Sequence, residues 1–380
     1  MDDARHVALY LNLSQMHHQG IAHGIIDYFQ KRGNWELYGA YWPMSEIGDL
    51  NNWQGDGIIA SVESAAEAAM LLAPGLPVVD ISGGARNPAM SLVSNDNIDI
   101  GSMAGEYFLG NGFLHFAFCA AEGSGWSDDR LLGFSQTTET KRLGDMGLFA
   151  RPMSWWHSPE FSRELSDFLV SQKHPLALFA ANDIIGLNVV GSCRLAGLRV
   201  PEDVAILGVD NEELLCSLSR PPLSSIAFDR HEIGKHAAEC LEKLIESRDI
   251  TPATVKIPAL QLVERASSAI IPVDDPLVAD ALSLIRREAI KGLAANDVIR
   301  ALFTSRRNLE RRFTRAMGCS ILEKIHRTRI DHAKTLLRES DLPVAKIAGM
   351  CGFTSVNRFT VAFSKITGMS PREYPKRHGK

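Results

Sequence analysis

Cysteine is sparse: six residues in 380, at positions 119, 193, 216, 240, 319 and 351, with no CxxC pair. That excludes a disulfide scaffold and zinc-ribbon spacing, and reads as reduced thiols in a cytoplasmic protein. No apolar run reaches the roughly 18 residues a membrane span needs, so no membrane partner is expected. The first residues, Met1 to His6, run straight into a strand-like segment, without the pattern of a secretory leader. A P-loop, a GxGxxG after a strand, a GxSxG elbow and HExxH are all missing, so no catalytic residue and no cofactor is assigned. His17, His18 and His23 suggest a metal cluster, but offsets of 5 and 6 do not share a helix face well. No metal is assigned either.

What is present is an ordinary globular mixture, 45% apolar and 22% charged, in a chain long enough for two or three domains. The net charge of −5 hides an asymmetry. Residues 277–380 carry 21 Lys+Arg against 9 Asp+Glu, a net of +12, which leaves −17 on residues 1–276. An acidic body with a basic end suits contact with a polyanion. The bland alternative is a solvated basic helical face.

The acidic part alternates strands and helices. Strand-like runs at His6–Leu13, Trp35–Trp42, Gly57–Ser61, Pro77–Ile81, His115–Ala121, Leu176–Ala180 and Val204–Val209 are separated by helical stretches. The helices are expected at 15–31, 63–72, 97–110, 159–171, 183–196 and 230–247. Single helices between strands imply right-handed βαβ units and parallel sheets; about nine such units exceed one sheet, so the fold class is α/β with two lobes. A ligand is expected at the strand ends, in the cleft between lobes.

Polar residues stand at those ends. Asp183 follows Leu176–Ala181, Asp210 and Asn211 follow Val204–Val209, Asp96 ends another extended stretch, and Trp126 and Arg130 follow His115–Ala121. Carboxylates, amides and an arginine suit vicinal hydroxyls, and an indole suits a sugar face. The duller reading is that Asp and Asn cap the next helix. His17 and His18 follow the first strand and are candidates for the same cleft.

Beyond Arg265 and a Pro272…Pro276 connection, every segment reads as helical. Ser305 caps a helix with Leu309 and Phe313 inside and Arg307, Glu310 and Arg311 outside, a face able to read a major groove. Ser320–Glu323 has the capping-box pattern and opens a helix to about Arg338. Val344–Met350, a Cys351-Gly352 turn and Ser355–Thr367 form a second unit, in which Phe359 and Phe363 repeat the inward pair about 50 residues on. The connecting helix, roughly 28 Å at 1.5 Å per residue, is close to the ~34 Å between successive major grooves on one DNA face. A partner-binding bundle would explain the cores but not the exposed arginines.

These residues carry a resemblance. The pattern Ser305…Leu309…Arg311…Phe313, Arg329…Ala333…Leu336-Leu337, Ile347-Ala348…Gly352-Phe353…Phe359…Phe363 and Gly368…Ser370-Pro371…Tyr374 resembles the AraC-type DNA-binding domain. The resemblance implies an all-α domain with two helix-turn-helix units and base contacts from Arg307, Glu310, Arg311, Asn357, Arg358 and Thr360. Phe303 stands at the usual turn glycine and Val361 at a frequent arginine. The front part is similar to the periplasmic-binding-protein-like sensor of LacI/GalR regulators, most clearly at Asp210–Leu214, Leu218–Arg220 and Leu223–Ser225. In that order, sensor first, the chain resembles XylR-like regulators across nearly its whole length. The implied ligand positions are Asp96, Arg130, Asp183, Asp210 and Asn211; Met16-His17-His18 and Asp80 depart from the pattern.

The expected organisation is a sensor at 1–265, a linker at 266–276 and a DNA-binding domain at 277–380. The expected function is a sugar-responsive transcriptional regulator, an activator acting as a homodimer on tandem operator half-sites, with RNA polymerase a further partner. A repressor, a sensor of another carbohydrate, a sugar-modifying enzyme with a DNA-binding tail and a transport-type binding protein are the alternatives.

Overall fold

The computed structural model describes residues 4–41, 44–45, 50, 53–156, 161–247, 251–270, 275–340 and 342–374. The expected strand end at Trp42, helix start at 159–160 and linker residues 271–274 lie outside them.

Apolar runs become central strands because both faces are covered by helices. The first sheet uses β1 (Arg5–Tyr10), β2 (Trp35–Tyr41), β3 (Met44–Ser45), β4 (Gly57–Ala60), β5 (Val78–Asp80) and β6 (Ser91–Asn95), with α1 (Met16–Gln30) and α2 (Ala65–Leu72) between them. The chain then crosses to a second lobe. There α3 (Asn97–Gly110) leads to β7 (His115–Ala121), α4 (Gly125–Thr138), β8 (Gly147–Arg151), α5 (Met153–Trp156) and α6 (Phe161–Ser171). β9 (Leu176–Ala180), α7 (Asp183–Leu195), β10 (Val204–Val209), α8 (Glu213–Leu218) and β11 (Ser224–Phe228) complete the alternation. α9 (Arg230–Ser247) and β12 (Thr254–Ile257) return to the first lobe, and β13 (Ala259–Val263) ends in the second.

Strand orders are β12-β6-β5-β4-β1-β2-β3 and β13-β11-β10-β9-β7-β8. The pairs are parallel except β2–β3 and β11–β13. The two-lobed α/β expectation therefore holds, and the chain passes between lobes three times, at 95–97, 228–230 and 257–259.

α4 was not foreseen. Apart from Phe134 its buried face carries Ser127, Arg130, Gly133 and Thr138 rather than aliphatic residues, so only a weak apolar stripe announces it. It lies very close to α3: a Cβ on Gly101 would stand 2.1 Å from the Arg130 carbonyl, and one on Gly133 would stand 2.1 Å from that of Ile98. Only glycine fits at this crossing, which fixes Arg130 beside the start of α3.

The segment read as a linker begins inside the second lobe. Ser267 and Ser268 are fully buried. The Ser267 hydroxyl donates to the Ile206 carbonyl (2.7 Å), and the Ser268 and Ser224 hydroxyls pair at 2.7 Å. Buried hydroxyls need such partners, which a free linker would not supply.

The remainder is helical: α10 (Pro276–Glu288), α11 (Ala295–Ala301), α12 (Arg306–Met317), α13 (Ile321–Glu339), α14 (Val344–Met350) and α15 (Val356–Thr367). Asp275 caps α10, so the helical unit opens one residue before the expected start. α13 joins two apolar cores, giving Ile321 and Ile325 to one and Ile330, Ala333 and Leu337 to the other. Ser320 caps it through the Glu323 amide (3.1 Å), but the box is not reciprocal; the Glu323 carboxylate is paired with Arg327 at 2.8 Å.

Candidate ligand cleft and nucleic-acid interface

The loops after β1, β4 and β5 face those after β7, β9 and β10. Arg130 is buried at their floor. Its Nε donates to the Asn97 amide oxygen (2.9 Å), an Nη donates to the Ala181 carbonyl (2.5 Å), and its guanidinium lies 5.0 Å over the Trp126 ring. Trp126 in turn donates its indole N–H to Glu63 of the opposite lobe at 3.3 Å. Arg86 makes a second bridge between lobes, to Asp129 and the Gly125 carbonyl, both at 2.7 Å.

Asp183 is 1% exposed and does not cap its helix. Asn182 does, accepting the Ile185 amide at 2.9 Å. The Asp183 carboxylate accepts the Ser225 hydroxyl (2.6 Å), the Glu212 amide (2.9 Å) and the Cys216 thiol (3.4 Å). It thus anchors the turn that carries Asp210 and Asn211, both with positive φ, 109° and 48°. Burial pushes the Asp183 carboxyl up, and the neighbouring Asp210 adds to that. Burial also raises Asp210, against the opposing pull of Arg130 and Arg230. Among the described residues no donor reaches the Asp210 carboxylate, whereas the Asn211 amide oxygen is held by Arg265 at 2.8 Å.

Asp96 is a cap, as the duller reading had it: its side chain accepts the Asp99 amide at 3.2 Å. Its own amide donates to Ile257 at 2.7 Å, tying two of the three lobe crossings together. His17 and His18 stand beside one another, ring centroids 5.3 Å apart. Burial, then the charges of His18, Arg230 and Arg130, hold His17 well below the usual imidazole range. His17 Nδ1 and Arg230 Nε are both buried without a hydrogen-bond partner, and both side chains pack on Phe228, at 5.5 and 5.4 Å. His23 is exposed and apart from them.

Phe228, Arg230 and Glu63 were missed, whereas Asn97 stands beside Asp96 at the strand end that the sequence pointed to. β11 was not recognised as a strand, so the strand-end rule that pointed to Asp183 and Asp210 was never applied to Phe228 and Arg230.

In the helical part Leu309, Phe313, Phe359 and Phe363 are fully buried, while Arg307, Arg311, Asn357 and Arg358 are exposed and Glu310 and Thr360 half-buried. The Thr360 hydroxyl donates to the Val356 carbonyl (2.9 Å), leaving it only acceptor capacity. Arg312 belongs to the fold: it pairs with Asp275 at 2.5 Å. Arg329 donates to the Ala289 (2.8 Å) and Leu293 (2.9 Å) carbonyls and stacks on Phe353, joining the two units. Phe303 is 98% exposed with φ 48°, the left-handed conformation expected of a turn glycine.

Two α/β lobes around a polar cleft, followed by paired helix-turn-helix units, agree with comparison to known proteins. Residues 6–98 match the XylR N-terminal domain, 106–268 a periplasmic binding protein-like domain, and 298–377 a helix-turn-helix domain. The chain is similar over nearly its whole length to XylR-type transcription regulators. The xylose operon regulatory protein of Escherichia coli K12 is 28% identical over 379 residues, covering 97% of this chain and 96% of that one. That of Haemophilus influenzae is 28% identical over 379 residues, covering 97% of both chains. A solved structure described as the xylose-binding transcription activator XylR superposes with a TM-score of 0.61 at 25% identity, covering both chains fully. The fold alone is shared with a CelR–cellobiose complex, at a TM-score of 0.57 and 24% identity over 70% of this chain and 86% of that one. Its domain order, a periplasmic binding protein-like domain before a helix-turn-helix domain, is that of a DNA-binding transcription regulator. No helix among the described residues is long and apolar enough to cross a membrane.

Proposed function

We propose that the regulator binds a pentose such as xylose between its lobes and, as a cytoplasmic homodimer, activates a carbohydrate-utilisation operon from tandem half-sites. The sensor comprises roughly residues 1–268, three beyond the expected end, and 276–380 is the part that meets DNA. Full-length similarity to proteins named xylose operon regulators supports the sugar class.

The observation that carries the reading is the cleft floor. Arg130 is fixed by Asn97 and Ala181, the Asp210 carboxylate meets no donor among the described residues, and His17 Nδ1 and Arg230 Nε are buried without partners. Buried polar atoms left unpaired cost stability unless something fills them. Hydroxyls of a small sugar, which donate and accept, would satisfy the set. Arg307, Glu310 and Arg311 on α12 and Asn357, Arg358 and Thr360 on α15 are the proposed base contacts, and RNA polymerase would be met by the DNA-bound dimer.

Thermal-shift titration with D-xylose, L-arabinose, D-glucose and cellobiose tests the sugar class, since a ligand that binds only the folded state raises the melting point. D-Xylose should give the largest shift. No shift with any aldose would remove the sugar from this proposal.

A further inference from the structure

The C-terminal end of α3 touches the DNA-binding half. Lys324 of α13 donates its ammonium to the Gly110 carbonyl, the last residue of α3. Cations are favoured at that end of a helix, where the carbonyls are unpaired. Close by, Tyr107 donates to Glu264 (2.9 Å), and Glu264 pairs with Arg286 of α10 at 2.9 Å. A cavity of about 1230 Å³ lies between the halves. Glu106, Gly110 and Lys141 of the sensor line one side, and Asn357, Arg358 and Val361 of α15 line another. None of Arg307, Glu310 and Arg311 on α12 lines it.

Reading a major groove places a phosphate backbone on each side of the recognition helix, across a groove ~12 Å wide and ~8.5 Å deep. Because Glu106, Gly110 and Lys141 line the same cavity as Asn357 and Arg358, a backbone approaching α15 from that side would compete with the sensor for space.

We propose that the C-terminal end of α3 is an intramolecular docking surface for α13 that masks the reading face of α15 in the resting regulator. DNA then meets α12 first, and the second half-site is read only after Lys324 leaves Gly110. α3 is suited to transmit that release. Its first turn is capped by Asp96 at the lobe crossing, and its 14 residues carry a movement there about 21 Å to Gly110. This inference rests on the reading of α15 as a recognition helix.

The test is selection from random duplexes with the full chain and no added sugar. Wild type should recover one short motif. Lys324→Ala should recover two motifs about one helical turn apart and bind that bipartite duplex at least tenfold more tightly than wild type. Affinity for a duplex carrying the first motif alone should not rise. The substitution removes a cation, so a general charge effect would act the other way. Glu106→Gln, beside Lys334 and Arg327, is the second variant and should shift in the same direction. Two motifs recovered by sugar-free wild type, or one motif from both variants, would overturn the masking. A second motif that survives Arg358→Ala in the Lys324→Ala background overturns the assignment of α15 instead.

Discussion

Ser225 gives its hydroxyl proton to the Asp183 carboxylate at 2.6 Å, tying the first residue of α7 to strand β11 beneath the Asp210 turn. The carboxylate is therefore a positioning group, already occupied by protein donors.

Asp183→Ala strands the Ser225 hydroxyl and the Glu212 amide, each costing roughly 1–3 kcal/mol when left buried and unpaired. The melting point of the sugar-free protein should fall, and sugar affinity should fall with it as the Asp210 turn loosens. Asn182→Ala removes the actual cap, costing about 1 kcal/mol, and should leave affinity alone. Calorimetric titration of both variants beside their melting curves checks this; an Asp183→Ala protein of wild-type stability would refute the anchoring role.

Arg311 and Arg312 are neighbours with different work. Arg311→Ala should lose on the order of 1–3 kcal/mol on the selected site and relax its base preference. Arg312→Ala should leave the preference unchanged and lower the melting point slightly, because its partner is Asp275. Quantitative binding to the site and to single-base variants separates the two. A uniform loss with Arg311→Ala would reassign it to phosphate.

Asp80 predicts a pH effect. Burial raises its carboxyl from 3.8 to about 6, against the amides of Ser82 (2.9 Å), Gly83 (3.0 Å) and Val62 (3.2 Å). The folded state holds the proton more tightly, so this contribution is full below about pH 4 and lost as pH rises through 6. It amounts to about 1–3 kcal/mol. Denaturant unfolding at pH 4.5 and 7 should show the wild type gaining relative to Asp80→Asn at the lower pH. Parallel pH profiles would show that Asp80 has no such role.

Phe303 sits in the left-handed region at 98% exposure, burying almost nothing in return. That conformation costs ordinary residues about 1–2 kcal/mol, and Asn tolerates it best after Gly. Phe303→Asn should raise stability by roughly 0.5–1 kcal/mol, read from the melting point. A fall would mean the ring has a partner in the assembled regulator.

The fold was legible where chemistry is periodic. β9 and β10 are buried at every position, and their apolar runs were found to the residue. Leu309/Phe313 and Phe359/Phe363 gave both helix-turn-helix units for the same reason. α4 was illegible because it packs through Gly133 against Gly101 rather than through aliphatic side chains. In the cleft, strand-end position located Asp183 and Asp210 but could not tell a free carboxylate from an occupied one. That difference depends on Ser225 and Glu212, which are remote in sequence. Asn182 and Asp183 are adjacent and both polar, so which one caps was equally hidden until the backbone turned.

The three crossings also set an order of synthesis. Domains emerging from a ribosome generally fold from the N-terminus, yet the first lobe cannot finish until nearly all of the second has been made. Its sheet gains β12 beside β6, and α1 gains its packing partner α9, only from residues made after β11. Ile21 and Ile25 of α1, fully buried in the finished molecule, must wait while some two hundred residues are added (~10–40 s at 5–20 residues per second). The nascent protein thus carries an unfinished apolar face through most of its translation, although six of the first lobe's seven strands are already made by Asn95.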